Sequence, residues 1–548
     1  MNFLSTARAS RGVAIFASLA VVACTGGASS HGGAGTASLS GAWTVSDRFD
    51  RTLNSMGVTL VDWDGHLANP AIPLALTPPA GLAWPVTVEV TADEPRIYFD
   101  RGARSLAGQT SYPPPSATLT FVDGSPVTFR IAIWPDRDTA DEDHVLHFVG
   151  GGVSTDVPVH VIDQDTHPPI TYPITVDFSK DAAQADGSHF FLDDPNKQAI
   201  VVQVAEDWAT FFDGTGLDPV PARRESTTVD GADGWYGPRP TVVNAAAYRG
   251  YLLYATGVHT EETRSTGFPT PSATYESAAG VLLPGDLHRS GALEMEVEGN
   301  YATTGWALSA SDETWYEHDN VEGPTDFASI AHHEMGHALF FDGRYENFMT
   351  GSGTTGNGTS WGILTSPEIR AYYGGDLLAP EGAPGDLPID FRNHFVKVTN
   401  AGVIDPASGL GAFGNEYADD GTMPRRRWII TKLDLLAAKA VGYPLRTSMS
   451  PFQPLAVQGP PSSGGVVELG PAATGQAYTS ATLTASGGVP PYDWTVVAGG
   501  LPPGLELDSF SGGLRGTPSD AGNYSWSVQV QDSLGASTPA RAVGLVVQ

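Results

Sequence analysis

The stretch His333-Glu334-Met335-Gly336-His337 sets two imidazoles four residues apart with a carboxylate between them. Residues four apart share one face of a helix, so both histidines can reach one ion while Glu334 stands beside it. Zinc held in this way acidifies and orients a water, and the neighbouring carboxylate can take its proton as the water attacks a carbonyl. Two imidazoles are too few for a catalytic zinc, so a third protein ligand has to come from elsewhere in the chain. Asp342 and Glu346 are oxygen donors close to the motif.

The flanking residues predict the helix that this chemistry needs. Gly323-Pro324 supplies a break, Thr325 offers an N-cap hydroxyl and Asp326 falls in the first turn. Phe327, Ala331, Met335 and Leu339 recur every four residues as an apolar row, with His333 and His337 off that row, toward a cleft. Asp342-Gly343 reads as the stop. His332 has Gly336 as its +4 partner, so it cannot form the same pair and is read as a packed or surface imidazole.

The run from Asp326 to Leu339 resembles the metzincin metallopeptidases, and among them the leishmanolysin-like branch. The short metzincin pattern needs a glycine three residues after the second histidine and a ligand three further on; Phe340 and Gly343 stand there instead. The leishmanolysin-like pattern has a long excursion before the third histidine and then a methionine turn beneath the metal. Ala371-Tyr372-Tyr373-Gly374-Gly375, Asp390 and His394-Phe395, between Thr365 and Phe395, resemble that excursion. His394 lies 57 residues past His337 (394 − 337), and Met423-Pro424 follows 29 residues later (423 − 394). The resemblance implies zinc held by His333, His337 and His394, Glu334 as general base, Met423 under the site, and a protein or peptide substrate. Asp342 or Glu346 in place of His394, and Met349 in place of Met423, are the rival assignments.

Other segments are expected to position this site. Ile174-Thr175-Val176-Asp177-Phe178 reads as a strand. A helix opens at Asp194-Pro195, with Val201, Val204, Ala205, Trp208 and Phe212 on one side. Tyr251-Leu252-Leu253-Tyr254 reads as a buried strand. Leu293, Met295 and Val297 alternate with Glu294, Glu296 and Glu298 in a one-sided strand, which is either an ordinary solvent-facing edge or, as the resemblance implies, the edge that holds extended substrate. Thr431 opens a helix with Leu433, Leu436, Ala437 and Ala440 on one face, ended by Gly442 and Pro444.

The N-terminus points to a compartment. Arg8 and Arg11 precede a short apolar run, Val13 to Ala20, which is too short for a comfortable membrane span. The run ends in Val21-Val22-Ala23-Cys24, which resembles a bacterial lipobox; the resemblance implies cleavage before Cys24, its acylation, and anchorage in a lipid bilayer. Thr25 follows, where aspartate often signals inner-membrane retention, so the outer membrane or cell surface is expected. Cys24 is the only cysteine, so no internal disulfide forms and zinc must be held by histidines and carboxylates. Acidic residues outnumber basic ones 61 to 29, a formal charge of −32, which excludes nucleic acid and anionic lipid as ligands. Asp136-Arg137-Asp138 and Asp141-Glu142-Asp143 are either solvated acid or oxygen donors for Ca2+.

At 548 residues with 41% hydrophobic content the chain can bury several cores. The expected order is a signal peptide (1–23), a Gly/Ser/Ala/Thr-rich tether (24–45), an all-β sandwich (46–165), an α+β metzincin-like catalytic domain (166–446), a Pro/Ser/Gly-rich linker (447–464) and an immunoglobulin-like β-sandwich (465–548). The sandwich is read from Val86–Thr91, Ala117–Phe121, Val127–Ala132 and Val157–Asp163. Leu501-Pro502-Pro503-Gly504-Leu505 and Gly512-Gly513-Leu514-Arg515-Gly516-Thr517-Pro518 resemble the immunoglobulin-like (cadherin-like) modules of bacterial surface proteins. The expected function is that of a zinc endopeptidase outside the cytoplasm. The alternative is a surface adhesion lipoprotein with an idle peptidase fold, against which stands the intact Glu334.

Overall fold

The computed structural model describes residues 41–63, 65–100, 116–229, 240–259, 274–275, 289–297, 306–307, 325–341, 351–354, 360–374, 386–389, 394–395, 403–413, 429–459, 465–478 and 483–548. Cys24, Asp342, Glu346, Met349 and Met423 lie outside these residues.

Alternation of apolar and polar side chains builds the N-terminal unit. Along Val153–Asp163, Thr155, Val157, Val159 and Val161 are buried while Ser154, Asp156, His160 and Ile162 face water, the period of two that gives a strand one dry face. One sheet runs Thr44–Asp47, Ile72–Thr77, Val127–Ile133, Ile97–Asp100 in spatial order; the other runs Val58–Asp62, Val153–Asp163, Glu142–Gly150, Val86–Ala92, Ser116–Phe121. Every neighbouring pair is antiparallel except Val58–Asp62 with Val153–Asp163. Val45, Leu74, Leu76 and Ile131 of the first sheet and Val88, Val90, Phe148 and Val157 of the second join one apolar cluster, as two packed sheets require.

The middle of the chain turns to parallel pairing. Ile174–Asp177, Tyr251–His259 and Ser290–Val297 form a parallel sheet in that order. Parallel neighbours need a long crossover, and helix α1 (Pro195–Thr210) lies within the first one. Asp194 caps α1 by accepting from the amides of Asn196 and Lys197. Val201, Val204, Ala205 and Trp208 are buried. Ser290–Val297 is the last strand of its sheet among the described residues, and Leu293 and Met295 are buried.

Helix α2 (Phe327–Leu339) carries the motif, and every one of its residues is buried. Its start differs from expectation. Thr325–Asp326 pairs in parallel with Trp306–Ala307, and the helix begins at Phe327; the residue before its first turn is therefore Asp326 rather than Thr325. At the other end, the Ala338 and Leu339 carbonyls, two of the acceptors a helix leaves unpaired, receive the hydroxyls of Tyr251 and Tyr443. Helix α3 (Pro367–Tyr373) is capped by Ser366 and ends at Gly374, whose φ of 53° is left-handed. Helix α4 (Lys432–Val441) opens with a reciprocal capping box between Thr431 and Asp434. Outside α1–α4 and a short 3-10 turn at Ser450–Phe452, the regular structure of the described residues is strand, so the chain is mostly β. No described helix is long and apolar enough to cross a membrane.

The C-terminal module pairs Val467–Glu468, Arg541–Val547, Gly522–Gln531 and Asp493–Gly499 in one sheet. Its core of Trp494, Leu514, Trp526, Val528, Val530 and Val543 is separate from the cluster of the first two units. Ala456–Gln458 pairs with Thr484–Ser486, so the module's pairing begins inside the stretch read as linker. The Pro, Ser and Gly that suggested a linker border this strand rather than fill it.

Burial pushes the Asp434 carboxyl up to about 8, against hydrogen bonds from the Phe413 amide and from the Thr431 amide and hydroxyl. Above the ordinary carboxylate value of about 4, the folded chain therefore holds a proton that the unfolded chain has lost. Stability from this group is present in acid and is lost as pH rises through about 8. The unfolding free energy of the wild type relative to Asp434→Asn should fall as pH is raised from about 5 to about 9. A difference that does not change with pH would mean that the group stays ionised.

Candidate metal centre

One ring nitrogen each from His333, His337 and His394 lies within 4.8 Å of the others. His337 Nε2 and His394 Nε2 are 3.3 Å apart. Nitrogens bound tetrahedrally to zinc at 2.0–2.1 Å stand about 3.3–3.4 Å from each other, so this pair already has the spacing of ligands to one ion. The ring centroids are separated by 4.8, 5.0 and 5.2 Å. His337 Nδ1 lies 2.7 Å from the Phe341 carbonyl oxygen. Donating there fixes the tautomer and leaves Nε2 its lone pair for a metal. His333 is 1% exposed, His337 and His394 are 7%, and Glu334, on the same helical turn, is 2%. Three neutral nitrogens in a dry pocket suit zinc better than calcium or magnesium, which prefer oxygen.

What packs this triad is a residue that the sequence did not single out. The Phe413 ring stacks on His333 at 4.8 Å and 6°, meets His337 edge-on at 4.8 Å and 83°, and lies 6.0 Å from His394. Its amide donates to Asp434 and its carbonyl accepts from Phe395, the residue after His394. The capping box of α4 thereby sets the ring that supports all three imidazoles. The mid-motif glycine follows from the same packing: a Cβ on Gly336 would lie 2.5 Å from Phe413 Cε2 and 3.3 Å from the Phe341 ring. A glycine inside a helix otherwise costs about 1 kcal/mol relative to alanine, and that was the one available signal of a ring at this spot. Met423, read as the residue beneath the site, is outside the described residues.

His332 faces a different set of groups. It is buried, its Nε2 is 3.3 Å from Asp207 Oδ2 of α1, and its ring lies 5.4 Å from that of His66 at 10°. Arg137 grips both Asp207 oxygens, at 2.9 and 3.2 Å, and Gln203 donates to Oδ1. Burial alone would raise the Asp207 carboxyl; His66, His332 and Arg137 outweigh it and hold the group well below the usual carboxylate range. The acidic clusters at 136–143 are only partly together. Asp136 and Asp138 meet Asp163. Glu142 pairs with Arg96 and Asp143 with His160.

Residues 456–548 match the family described as "Putative Ig domain", so the C-terminal module is immunoglobulin-like. No curated protein matches the chain. Solved structures with some similarity include a putative alpha-galactosidase from Bacteroides fragilis NCTC 9343, at 23% identity over 14% of this chain and 15% of that one, with a TM-score of 0.13. A putative alpha-galactosidase/melibiase from the same organism has 24% identity over 19% of each chain and a TM-score of 0.14. The extracellular cadherin domains 3–6 of protocadherin gamma B2 have 9% identity over 87% of this chain and 83% of that one, with a TM-score of 0.17. The chain thus spans less than a fifth of either galactosidase, and at these scores the family match alone bears on the fold.

Gly336→Ala should force the Phe413 ring off the imidazoles. Unfolding free energy is expected to drop by about 1–3 kcal/mol in chemical denaturation, with weaker zinc binding in a competition titration. Unchanged stability and affinity would mean that the ring is not a fixed support.

Proposed function

We propose that the chain is a zinc-dependent endopeptidase that works outside the cytoplasm. The observation that carries this reading is the approach of His394, from a distant segment, to the two helical imidazoles, with Glu334 on the same turn. His333, His337 and His394 would hold the ion, and Phe413 keeps their rings in place. Bound zinc supplies Lewis acidity toward a water and toward the oxygen of the scissile carbonyl. Glu334 accepts the proton of the attacking water and returns it to the leaving amine. An extended peptide can add to the Ser290–Val297 edge through backbone hydrogen bonds.

The likeness of 326–339 to leishmanolysin-like metzincins supports the same chemistry, with Met423 beneath the site in an α+β catalytic domain at 166–446. Anchorage through acylated Cys24 at the bacterial outer membrane or cell surface belongs to this reading and rests on residues 8–24. Asp138, which is exposed, and the half-buried Asp136 and Asp163 are the candidate donors for Ca2+. The C-terminal immunoglobulin-like module is what favours the second reading, an adhesion lipoprotein that keeps the peptidase architecture without turnover.

Purified protein should cleave casein or a broad peptide library, and a chelator should stop it. Glu334→Gln should lower the rate by about 10²- to 10⁴-fold while zinc content stays at the wild-type level. Stoichiometric zinc with no cleavage in the wild type would leave the adhesion reading standing. His394→Ala should weaken zinc binding by more than about tenfold; unchanged affinity would return Asp342 or Glu346 as the third ligand.

A further inference from the structure

His66, Asp207 and His332 come from three parts of the chain that the sequence does not connect: the loop after Val58–Asp62, helix α1 and helix α2. All three are buried, and one ligand-type atom from each lies within 4.8 Å of the other two, the same limit that holds for His333, His337 and His394. We propose that these residues form a second zinc site, at the seam between the N-terminal sandwich and the helices behind the first centre.

The spacing supports an ion rather than mere proximity. The 3.3 Å between His332 Nε2 and Asp207 Oδ2 equals the separation of His337 Nε2 and His394 Nε2, and both match neighbouring ligands in a tetrahedral zinc shell, about 3.3–3.4 Å. The centroids of His66 and His332 are 5.4 Å apart, close to the 4.8, 5.0 and 5.2 Å of the first triad. Two imidazoles and one carboxylate are a donor set that zinc accepts, with a fourth position for water.

The surroundings already hold the ligands still. Asp207 Oδ1 takes Arg137 Nη1 at 2.9 Å and Gln203 Nε2 at 3.2 Å, which fixes the carboxylate from behind. Oδ2 now receives His332 Nε2 and Arg137 Nη2; on binding, it turns a lone pair to the cation and the proton shared with His332 leaves to solvent. The loop bearing His66 is tied at several points. Trp63 N donates to Asn69, Asn69 Nδ2 donates to Asp62 and to the Ile133 carbonyl, and Ala68 N donates to the Ile430 carbonyl. Gly65, at φ +72°, brings the loop against α1: a Cβ there would lie 3.3 Å from the side chains of Thr210 and Phe211. His332 and His333 project about 100° apart around α2, so a cation held by His332 would brace this helix on a different flank from the first ion.

The site is tested by zinc stoichiometry on the full chain after exhaustive dialysis. The wild type should retain two zinc ions, and His66→Ala and Asp207→Asn one each. His394→Ala should lose the other ion, so failure of the peptidase centre and failure of this one give different patterns. A single zinc in the wild type that survives His66→Ala and Asp207→Asn, or two zinc ions in His66→Ala, overturns the proposal and leaves a hydrogen-bonded contact between units; zinc retained only when added in excess counts the same way. Should the substitutions unfold the chain, wild-type crystals measured at the zinc absorption edge decide instead. An anomalous peak within bonding distance of His332 and Asp207 is expected, and its absence overturns the assignment.

Discussion

A helix with no exposed side chain that nevertheless carries three histidines and a glutamate is the constraint on which this molecule turns. Polar groups taken out of water are tolerable only when something answers them, since an unanswered one costs several kcal/mol. The protein answers on two sides. His337 gives its Nδ1 to the Phe341 carbonyl and turns Nε2 toward His394; His332 turns toward Asp207, which Arg137 of the sandwich grips in turn. Around them, aromatic packing supplies the apolar remainder. Trp208, Phe340, Phe341 and Phe413 meet edge to face or tilted, and Tyr443 caps the helix end with its hydroxyl.

The sequence was most informative where chemistry and periodicity coincide. Two histidines four apart need only helical geometry to become neighbours, and alternation alone suffices to outline the sandwich strands. His394 was reached by resemblance rather than by any local pattern, because no periodicity links positions separated by a 57-residue excursion. Phe413 could not be found in this way, since a phenylalanine with no special spacing is indistinguishable from any other core ring until Gly336 is seen to make room for it. The cluster at His66, Asp207 and His332 was hidden for the same reason, and His332 was discounted because its helical partner is a glycine. Thr325 misled in the other direction: its type suits a cap, but the helix starts at Phe327, two residues on, after the short pairing of Thr325–Asp326 with Trp306–Ala307. Propensity gives way to tertiary contacts at such ends.

The three units are joined unequally. The sandwich and the middle of the chain share one apolar cluster that begins at Trp43; the C-terminal module has a core of its own and lends that shared cluster only Val489, with Leu534 packed against it. Beside that apolar contact, polar ones link module and sandwich: Arg51 donates to the Tyr492 carbonyl and lies over the Phe510 ring, and Arg48 reaches the Ser533 carbonyl. Contacts of that kind hold an orientation but add little cohesion.

This shared cluster has a bearing on biosynthesis. Residues of the sandwich leave the ribosome long before Met449 and Val489, the last members of their cluster, so the early part of the chain must wait with apolar surface uncovered. A polypeptide in that condition is a natural client for a holding chaperone until synthesis has passed α4. The terminal module, whose core draws on no earlier residues, can close on its own as soon as it emerges.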